Sequence, residues 1–434
     1  MAPENSTPPD QPTLRQVRIA ILITAAVLLV RLSLEVVSPE LRDHDFSAMY
    51  TAGYMVREGK GSKLFDLAEQ ARAEAATRNK RPGLMVIVHP PFEALFFAPL
   101  ARLSYASAYL VWGVINILLW TWFAYLARSF APVPRQTFQY MLLCFTFFPL
   151  WETLLRGQTT LVLLVLYTLT HISLRRQQDL RAGAFLGLGL SQFQLVLPFA
   201  FLFLLRRKWR VMAGFAVSAV LLCGLSIAVV GWSGVISYLN LLVHIVRNPI
   251  ERDDNAILPA DIAMVRGILG VLVAGRGSRE WITIAAIVIG GLLILFTGIL
   301  WRGMDRRQED ASQGLMFATA LAVTLATVFP LHDYDLALLP LAVILAIGSP
   351  QCSRKTPWRT ILYVSIAALY MPPIYLLLTA WNALYLLWLP LFVFALALFA
   401  LVRQPPQPEF TANHSNGAAV ANARSELEDS RISG

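Results

Sequence analysis

Two short acidic clusters in the sequence contain residue types that can carry acid–base chemistry. They are residues 43–46, Asp-His-Asp-Phe, directly after the first long apolar segment, and residues 332–335, His-Asp-Tyr-Asp. A carboxylate such as Asp45 can act as a general base on an incoming hydroxyl when partial burial matches its pKa to that task. His44 and His332 are candidates to bind an anionic group or to orient a carboxylate. Aspartate also caps helices, so spacing alone leaves base and cap open at both clusters.

Polar side chains also interrupt the apolar sequence at two other points. One is residues 156–158, Arg-Gly-Gln, and the other is residues 191–194, Ser-Gln-Phe-Gln. Arg156, Gln158, Gln192 and Gln194 supply hydrogen-bond donors of the kind that suits sugar hydroxyls or a phosphate. A lone arginine at a helix end is more often an anchor whose head group reaches the membrane surface.

Nucleotide and metal motifs are missing from the sequence. It contains no Gly-x-x-x-x-Gly-Lys loop and no Gly-x-Gly-x-x-Gly after a strand, so an energised pump is not expected. The three cysteines, Cys144, Cys223 and Cys352, show no metal-ligand spacing and no disulfide framework. No soluble donor-binding domain is present, so a donor substrate is expected to be lipid-borne, without a metal or other cofactor.

The elements that position these residues are apolar helices. Of the 434 residues, 56% are hydrophobic and 15% are charged, and the mean hydropathy is +0.57. One soluble core cannot bury that much apolar surface, so lipid must solvate part of it. The net charge of +9 lies in short basic clusters between apolar segments, which indicates membrane orientation rather than a nucleic-acid partner.

The apolar segments predict an all-α polytopic membrane protein with about 12 spanning or half-spanning helices. Their predicted bounds are 14–37, 103–127, 137–150, 158–174, 182–191, 193–205, 210–230, 281–301, 311–329, 335–349, 358–376 and 382–402. An even number places both termini on one side. Assigning that side to the cytoplasm puts the dense basic clusters at 175–181, 206–210, 302–307 and 354–359 in inner loops, as the positive-inside rule requires.

Segments 182–191 and 193–205 are each too short to cross a bilayer at about 1.5 Å per residue. They predict two half-helices that meet at the polar residues 191–194 and line a wet cavity, although a kinked pair with its break near the surface remains open.

We predict two larger outer loops within the membrane domain, 14–403, and two tails outside it. Residues 38–102 are expected to form amphipathic helices whose apolar side chains lie in the interface plane. Residues 231–280 form the second loop, and residues 1–13 and 404–434 are expected to be disordered cytoplasmic tails.

Several segments together resemble one known family. The resemblance is carried by residues 45–53 (Asp-Phe-Ser-Ala-Met-Tyr-Thr-Ala-Gly), Gly59, residues 65–66 (Phe-Asp), 89–92 (His-Pro-Pro-Phe), 98–100 (Ala-Pro-Leu), 157–158, 182–190 and 332–336. In order and spacing, over roughly residues 40–345, the chain resembles glycosyltransferase family 87. These are mannosyltransferases that use polyprenyl-phosphate-mannose, together with their relatives, and they have a GT-C membrane fold.

The resemblance implies inverting transfer of a hexose from a polyprenyl-phosphate carrier to a glycolipid or glycan acceptor at the outer face of the inner membrane. It also implies that Asp45 is the catalytic base. Arg156, Gln158, His332 and Arg266 are then the expected partners of the leaving phosphate. Members of the family usually have a lysine where this sequence has Gln192, and a tyrosine where it has His89.

Two alternatives share the same fold. A transporter or flippase of lipid-linked sugars should show repeat symmetry between its halves and a midplane site, whereas the polar residues here gather on one predicted face. A non-catalytic membrane scaffold, whose acidic residues only cap helices, also remains open.

Overall fold

The computed structural model describes residues 45–78, 85–131, 140, 144–247, 268–269, 279–302, 306–327 and 331–404. These residues form α-helices joined by short 3₁₀ turns and contain no β-strand. The predicted first span, 14–37, the predicted tail 1–13, nearly all of the predicted tail 404–434 and most of the second outer loop lie outside the described residues. Residues 137–139 and 141–143 of the predicted segment 137–150 also lie outside them.

The helices follow the predicted apolar segments closely. They are α1 Phe46–Arg57, α2 Leu67–Arg78, α3 Glu93–Phe97, α4 Tyr105–Ala127, α5 Phe148–Arg156, α6 Thr160–Arg175, α7 Asp179–Leu188, α8 Phe193–Leu205, α9 Trp209–Arg247, α10 Arg279–Arg302, α11 Arg306–Thr327, α12 Leu339–Ile347, α13 Pro357–Tyr370, α14 Pro372–Ala380 and α15 Trp388–Val402.

Five stretches within the described residues are long and apolar enough to cross a bilayer, and the bent pair α13 and α14 makes a sixth only when its two helices are counted as one span. They are Tyr105–Phe130, Asp179–Leu205, Trp209–His244, Ile284–Arg302 and Leu384–Val402. Large apolar side chains on α9 and α10 are exposed on the protein surface, where only lipid can solvate them favourably. The prediction of an all-α polytopic membrane protein is confirmed.

Helices α7 and α8 form a hairpin although their combined length would allow a single crossing. Gln192 at the connecting 3₁₀ turn bonds to Thr159 and Thr160 at the start of α6. Three residues later the chain has already turned back along α6. The evidence is the hydrogen bond that Tyr167 Oη donates to the carbonyl oxygen of Leu195 at 2.9 Å. The contacts therefore support the predicted pair of half-helices.

The first half of α9 runs parallel to α7 and packs closely against it. Gly183 lies against the backbone of Val211, and Gly187 lies against Phe215 and Ser218. The difference in residue number between contacting residues is nearly the same at both glycines, as expected for two parallel helices. Since α7 and α9 are parallel, α8 between them must run in the opposite direction.

One end of the helical bundle collects the basic clusters. The Arg175 guanidinium lies 5.5 Å from the ring centroid of Phe130, and that of Arg206 lies 5.8 Å from the ring of Trp301. The chain around Gly348 also packs on Phe130. Gln158 and Gln192 lie at the opposite end, so the folded chain separates the basic clusters from the polar candidates as the charge pattern predicts.

Two predicted details are wrong. The predicted span 358–376 ends at Tyr370, and the chain bends by 60° into α14. Pro372 and Pro373 lack the N–H groups that would continue the helix, and Met371 before them takes an extended ψ of 103°.

The second concerns α1, whose apolar side chains do not lie in the interface plane. Residues 46–53 and Met55 are buried, because α2, α3 and the 3₁₀ turn Leu100–Arg102 pack around this helix.

Candidate functional site

Asp45 lies at the N-cap position of α1, yet its carboxylate does not cap the helix. Instead Gln158 donates through Nε2 to Asp45 Oδ2 at a distance of 2.7 Å. Asp45 makes no other side-chain hydrogen bond with the described residues. The capping interpretation is therefore wrong for Asp45, whose half-buried carboxylate has acceptor capacity that none of the described side chains uses.

A glycine allows Asp45 and Gln158 to approach each other. Gly157 ends α5 with φ +69°, and a Cβ there would lie 2.8 Å from Phe46 Cβ. A side chain would clash with Phe46 and would also strain the backbone. Trp112 Nε1 donates to the Gly157 carbonyl oxygen at 2.7 Å, so α4 fixes the turn that presents Gln158.

Gln192 continues this polar line into the half-helix turn. Its Nε2 lies 3.2 Å from the hydroxyl oxygens of both Thr159 and Thr160, next to Gln158. Gln192 is 3% exposed, and its Oε1 has no hydrogen-bond partner among the described residues. Threonine hydroxyls can donate or accept, so either end of this amide can face a ligand.

Arg156 supplies a cation beside Asp45. Its Nε donates to Glu152 Oε2 at 3.2 Å, and its guanidinium lies 5.7 Å from the ring centroid of Tyr334. Burial alone would lower the pKa of Arg156, but the carboxylates of Asp333, Asp45 and Glu152 raise it above its ordinary value. The guanidinium therefore stays charged next to three carboxylates.

The second acidic cluster forms a 3₁₀ turn in which the capping interpretation is confirmed. The His332 backbone N–H donates to Asp335 Oδ2 at 3.0 Å, and the His332 side chain accepts from the Asp335 N–H. The rings of His332 and Tyr334 stack with centroids 5.0 Å apart. Thr153 Oγ1 donates to the Tyr334 carbonyl oxygen at 3.0 Å and holds the turn against α5.

His89 reaches the same cluster through a residue that the sequence analysis missed. His89 Nδ1 lies 3.0 Å from Glu93 Oε2, and Glu93 is 3% exposed with Oε1 unpartnered among the described residues. Burial lowers the pKa of His89, but Glu93, Asp45 and Asp335 together raise it. The i, i+4 spacing of His89 and Glu93 was the available signal.

Not every predicted residue joins the cluster. Gln194 lies in the first turn of α8, and none of the described hydrogen bonds links it to Asp45 or Gln192. His44 and Arg266 lie outside the described residues.

The chemistry that this arrangement allows follows from its charges. Among the described residues, Asp45 bonds to Gln158, two positions after Arg156, and the charge of Asp45 contributes to the raised pKa values of Arg156 and His89. No group of three residues in the described segments has the arrangement needed to hold a metal ion. The site combines a carboxylate that can accept a proton with cationic and amide donors that can bind an anion or hydroxyl groups.

Comparison with known proteins gives one match. The profile of Glycosyltransferase family 87 matches residues 88–330, which is more than half of the 434 residues. The match includes His89, Arg156, Gln158 and Gln192 and begins after Asp45. No curated protein and no solved structure matches significantly. The chain belongs to glycosyltransferase family 87 and is a multi-pass membrane glycosyltransferase.

Proposed function

We propose that the protein transfers a hexose, mannose in the first instance, from a polyprenyl-phosphate carrier to a glycolipid or glycan acceptor. The transfer inverts the anomeric carbon and uses neither nucleotide nor metal. We place the reaction at the outer face of the inner membrane, with both termini in the cytoplasm. The separation of the basic clusters from the polar end supports this orientation through the positive-inside rule.

The hydrogen bond from Gln158 to Asp45 is the observation that carries the proposal. An aspartate at a helix N-terminus normally satisfies backbone N–H groups of that helix. The Asp45 side chain makes no such capping bond, and Gln158, 113 positions away in the sequence, orients its carboxylate instead. An oriented carboxylate whose second oxygen bonds to none of the described side chains has the form that a general base requires.

In the proposed step, the acceptor hydroxyl oxygen attacks the anomeric carbon of the donor sugar while Asp45 takes the hydroxyl proton. The bond between the anomeric carbon and the phosphate oxygen breaks, and its electron pair leaves with the polyprenyl phosphate. Positive groups near the leaving oxygen stabilise the charge that develops there.

Arg156 and His89 are the cations that we assign to the phosphate. Both lie close enough to Asp45 for its charge to raise their pKa values. Gln192 occupies the place of the family's lysine and retains a hydrogen-bonding group without the charge. We therefore assign Gln192 to neutral oxygens of the donor, with the charge of the phosphate met by Arg156 and His89.

The test compares wild-type protein with Asp45→Asn in a defined transfer assay. Purified protein is incubated with short-chain polyprenyl-phosphate-mannose and extracted cell-envelope lipids, and products are identified by mass spectrometry. Asp45→Asn retains an oxygen that can accept from Gln158, so the fold should persist while the base is lost. We expect the transfer rate to fall by about 100-fold or more.

The matched control is Asp179→Asn, the same substitution at the start of α7 at the basic end of the bundle. It should leave the rate unchanged. Equal rates for wild type and Asp45→Asn would disprove the base assignment. Failure of the wild type with every polyprenyl-linked sugar would favour the transporter or scaffold alternatives.

A further inference from the structure

Helix α9 is too long to lie entirely within a bilayer. Its 39 residues would extend about 58 Å at 1.5 Å per residue, roughly twice the hydrocarbon thickness of about 30 Å. At Gly231 the backbone takes φ 70° and ψ 174°, which no α-helix contains. α9 is therefore two helices, a membrane span up to Val230 and a second helix that starts at Trp232.

The second helix exposes one continuous apolar stripe. Trp232, Ile236, Leu239 and Val243 follow at intervals of four, three and four residues, so they share one face. Their exposed fractions are 68%, 42%, 50% and 48%.

The two other faces of this helix have different surroundings. Tyr238 and Leu241 are buried against the first outer loop, where the Tyr238 ring lies 4.8 Å from that of Phe65. Tyr238 Oη also donates to the carbonyl oxygen of Val88 at 3.3 Å. The third face presents the exposed polar residues Ser233, Ser237, Asn240 and His244.

We propose that residues 232–244 lie in the plane of the membrane interface at the polar end of the bundle, with the stripe inserted into the lipid. One face of this helix is apolar and exposed, which suits lipid, and a second is polar and exposed, which suits water. The third face packs on protein, so the helix fits a position at the interface. The stripe starts immediately after a candidate span that also exposes large apolar side chains, and its first residue is a tryptophan, which favours the membrane boundary.

This inference does not depend on sugar transfer. The same helix contacts the carbonyl of Val88, the residue before His89, so its attachment to lipid would set the depth of that part of the site.

The test measures the surroundings of single spin labels by electron paramagnetic resonance. Full-length protein is placed in nanodiscs of phosphatidylethanolamine and phosphatidylglycerol. Cysteine replaces Ile236 or Leu239 on the stripe, with Ser237 and Asn240 as controls one residue further along. Cys223, which is exposed, is first replaced by alanine, whereas Cys144 and Cys352 are buried.

Labels at Ile236→Cys and Leu239→Cys should be several-fold more accessible to oxygen, which concentrates in lipid, than to a water-soluble nickel complex. Labels at Ser237→Cys and Asn240→Cys should show the opposite ratio. Nickel accessibility at position 239 equal to that at 240 would overturn the proposal, because the stripe would then face water. Protection of position 239 from both reagents would overturn it in favour of a protein partner, such as a second copy of the chain.

Discussion

The substitution Gly183→Ala tests the arrangement of α7, α8 and α9 most directly. A Cβ on Gly183 would lie 1.8 Å from the Val211 carbonyl oxygen and 2.8 Å from the Phe215 nitrogen. Real Cβ atoms essentially never approach within 3.0 Å of another heavy atom. The neighbouring group is backbone, so no side chain can rotate away, and the two helices must separate by about 1 Å.

The expected cost follows from two opposing effects. Overpacking of this kind costs up to about 3 kcal/mol, and the higher helix propensity of alanine returns about 1 kcal/mol. The net loss is therefore about 2 kcal/mol. Gly224→Ala, in the same α9 helix, is the matched control, because a Cβ there meets nothing within 4 Å. It should gain up to about 1 kcal/mol from propensity alone.

Thermal unfolding of both variants in one detergent, followed by near-ultraviolet circular dichroism, measures the difference. We expect Gly183→Ala to unfold at a clearly lower temperature than wild type, and Gly224→Ala at an equal or higher one. Equal unfolding temperatures for the two variants would refute the close parallel contact of α7 and α9. The reversal of the chain at Gln192 would then lose its main structural support.

Three further predictions concern the site. Gln158→Leu removes the side chain that donates to Asp45. A hydrogen bond to a charged group contributes about 1.5–3 kcal/mol, so the transfer rate should fall by at least about tenfold. An unchanged rate would contradict the orienting role of Gln158. Glu93→Gln should destabilise the protein more at about pH 5.5 than at about pH 9. Glu93 raises the pKa of His89, so the pair stabilises the fold at low pH, and this contribution is lost as the pH rises through the pKa of His89. An equal loss of unfolding temperature at both pH values would contradict this reasoning. Gln192→Lys should raise the KM for the polyprenyl-linked donor, because an ammonium group replaces the buried amide that we assign to neutral oxygens of the donor. A lower KM would place the donor phosphate beside position 192 instead of at Arg156 and His89.

Local signals in the sequence were sufficient for the membrane architecture. Hydropathy depends on the composition of each segment, so most helix bounds could be predicted before any tertiary contact was known. The short lengths of 182–191 and 193–205 likewise predicted half-helices. The Pro372-Pro373 pair was an equally local signal for the break at Met371, and the prediction did not use it.

The contacts of individual polar residues could be predicted only in part. Asp45, Arg156, Gln158 and Gln192 were recognised because polar groups at helix ends stand out against an apolar background. Glu93 was missed, since an isolated acid in a predicted surface loop carries no such contrast. Its importance follows from burial beside His89, which is a property of the folded chain.

The amino-acid sequence by itself therefore determined the class of protein, the division of the chain into helices and the set of polar residues with possible chemistry. Only the tertiary structure decided that Asp45 bonds to Gln158 rather than capping its own helix. It also decided that Asp335 does act as a cap. The physical reason is that capping needs only neighbours in sequence, whereas the partner of Asp45 comes from 113 residues away, through packing that no local pattern encodes.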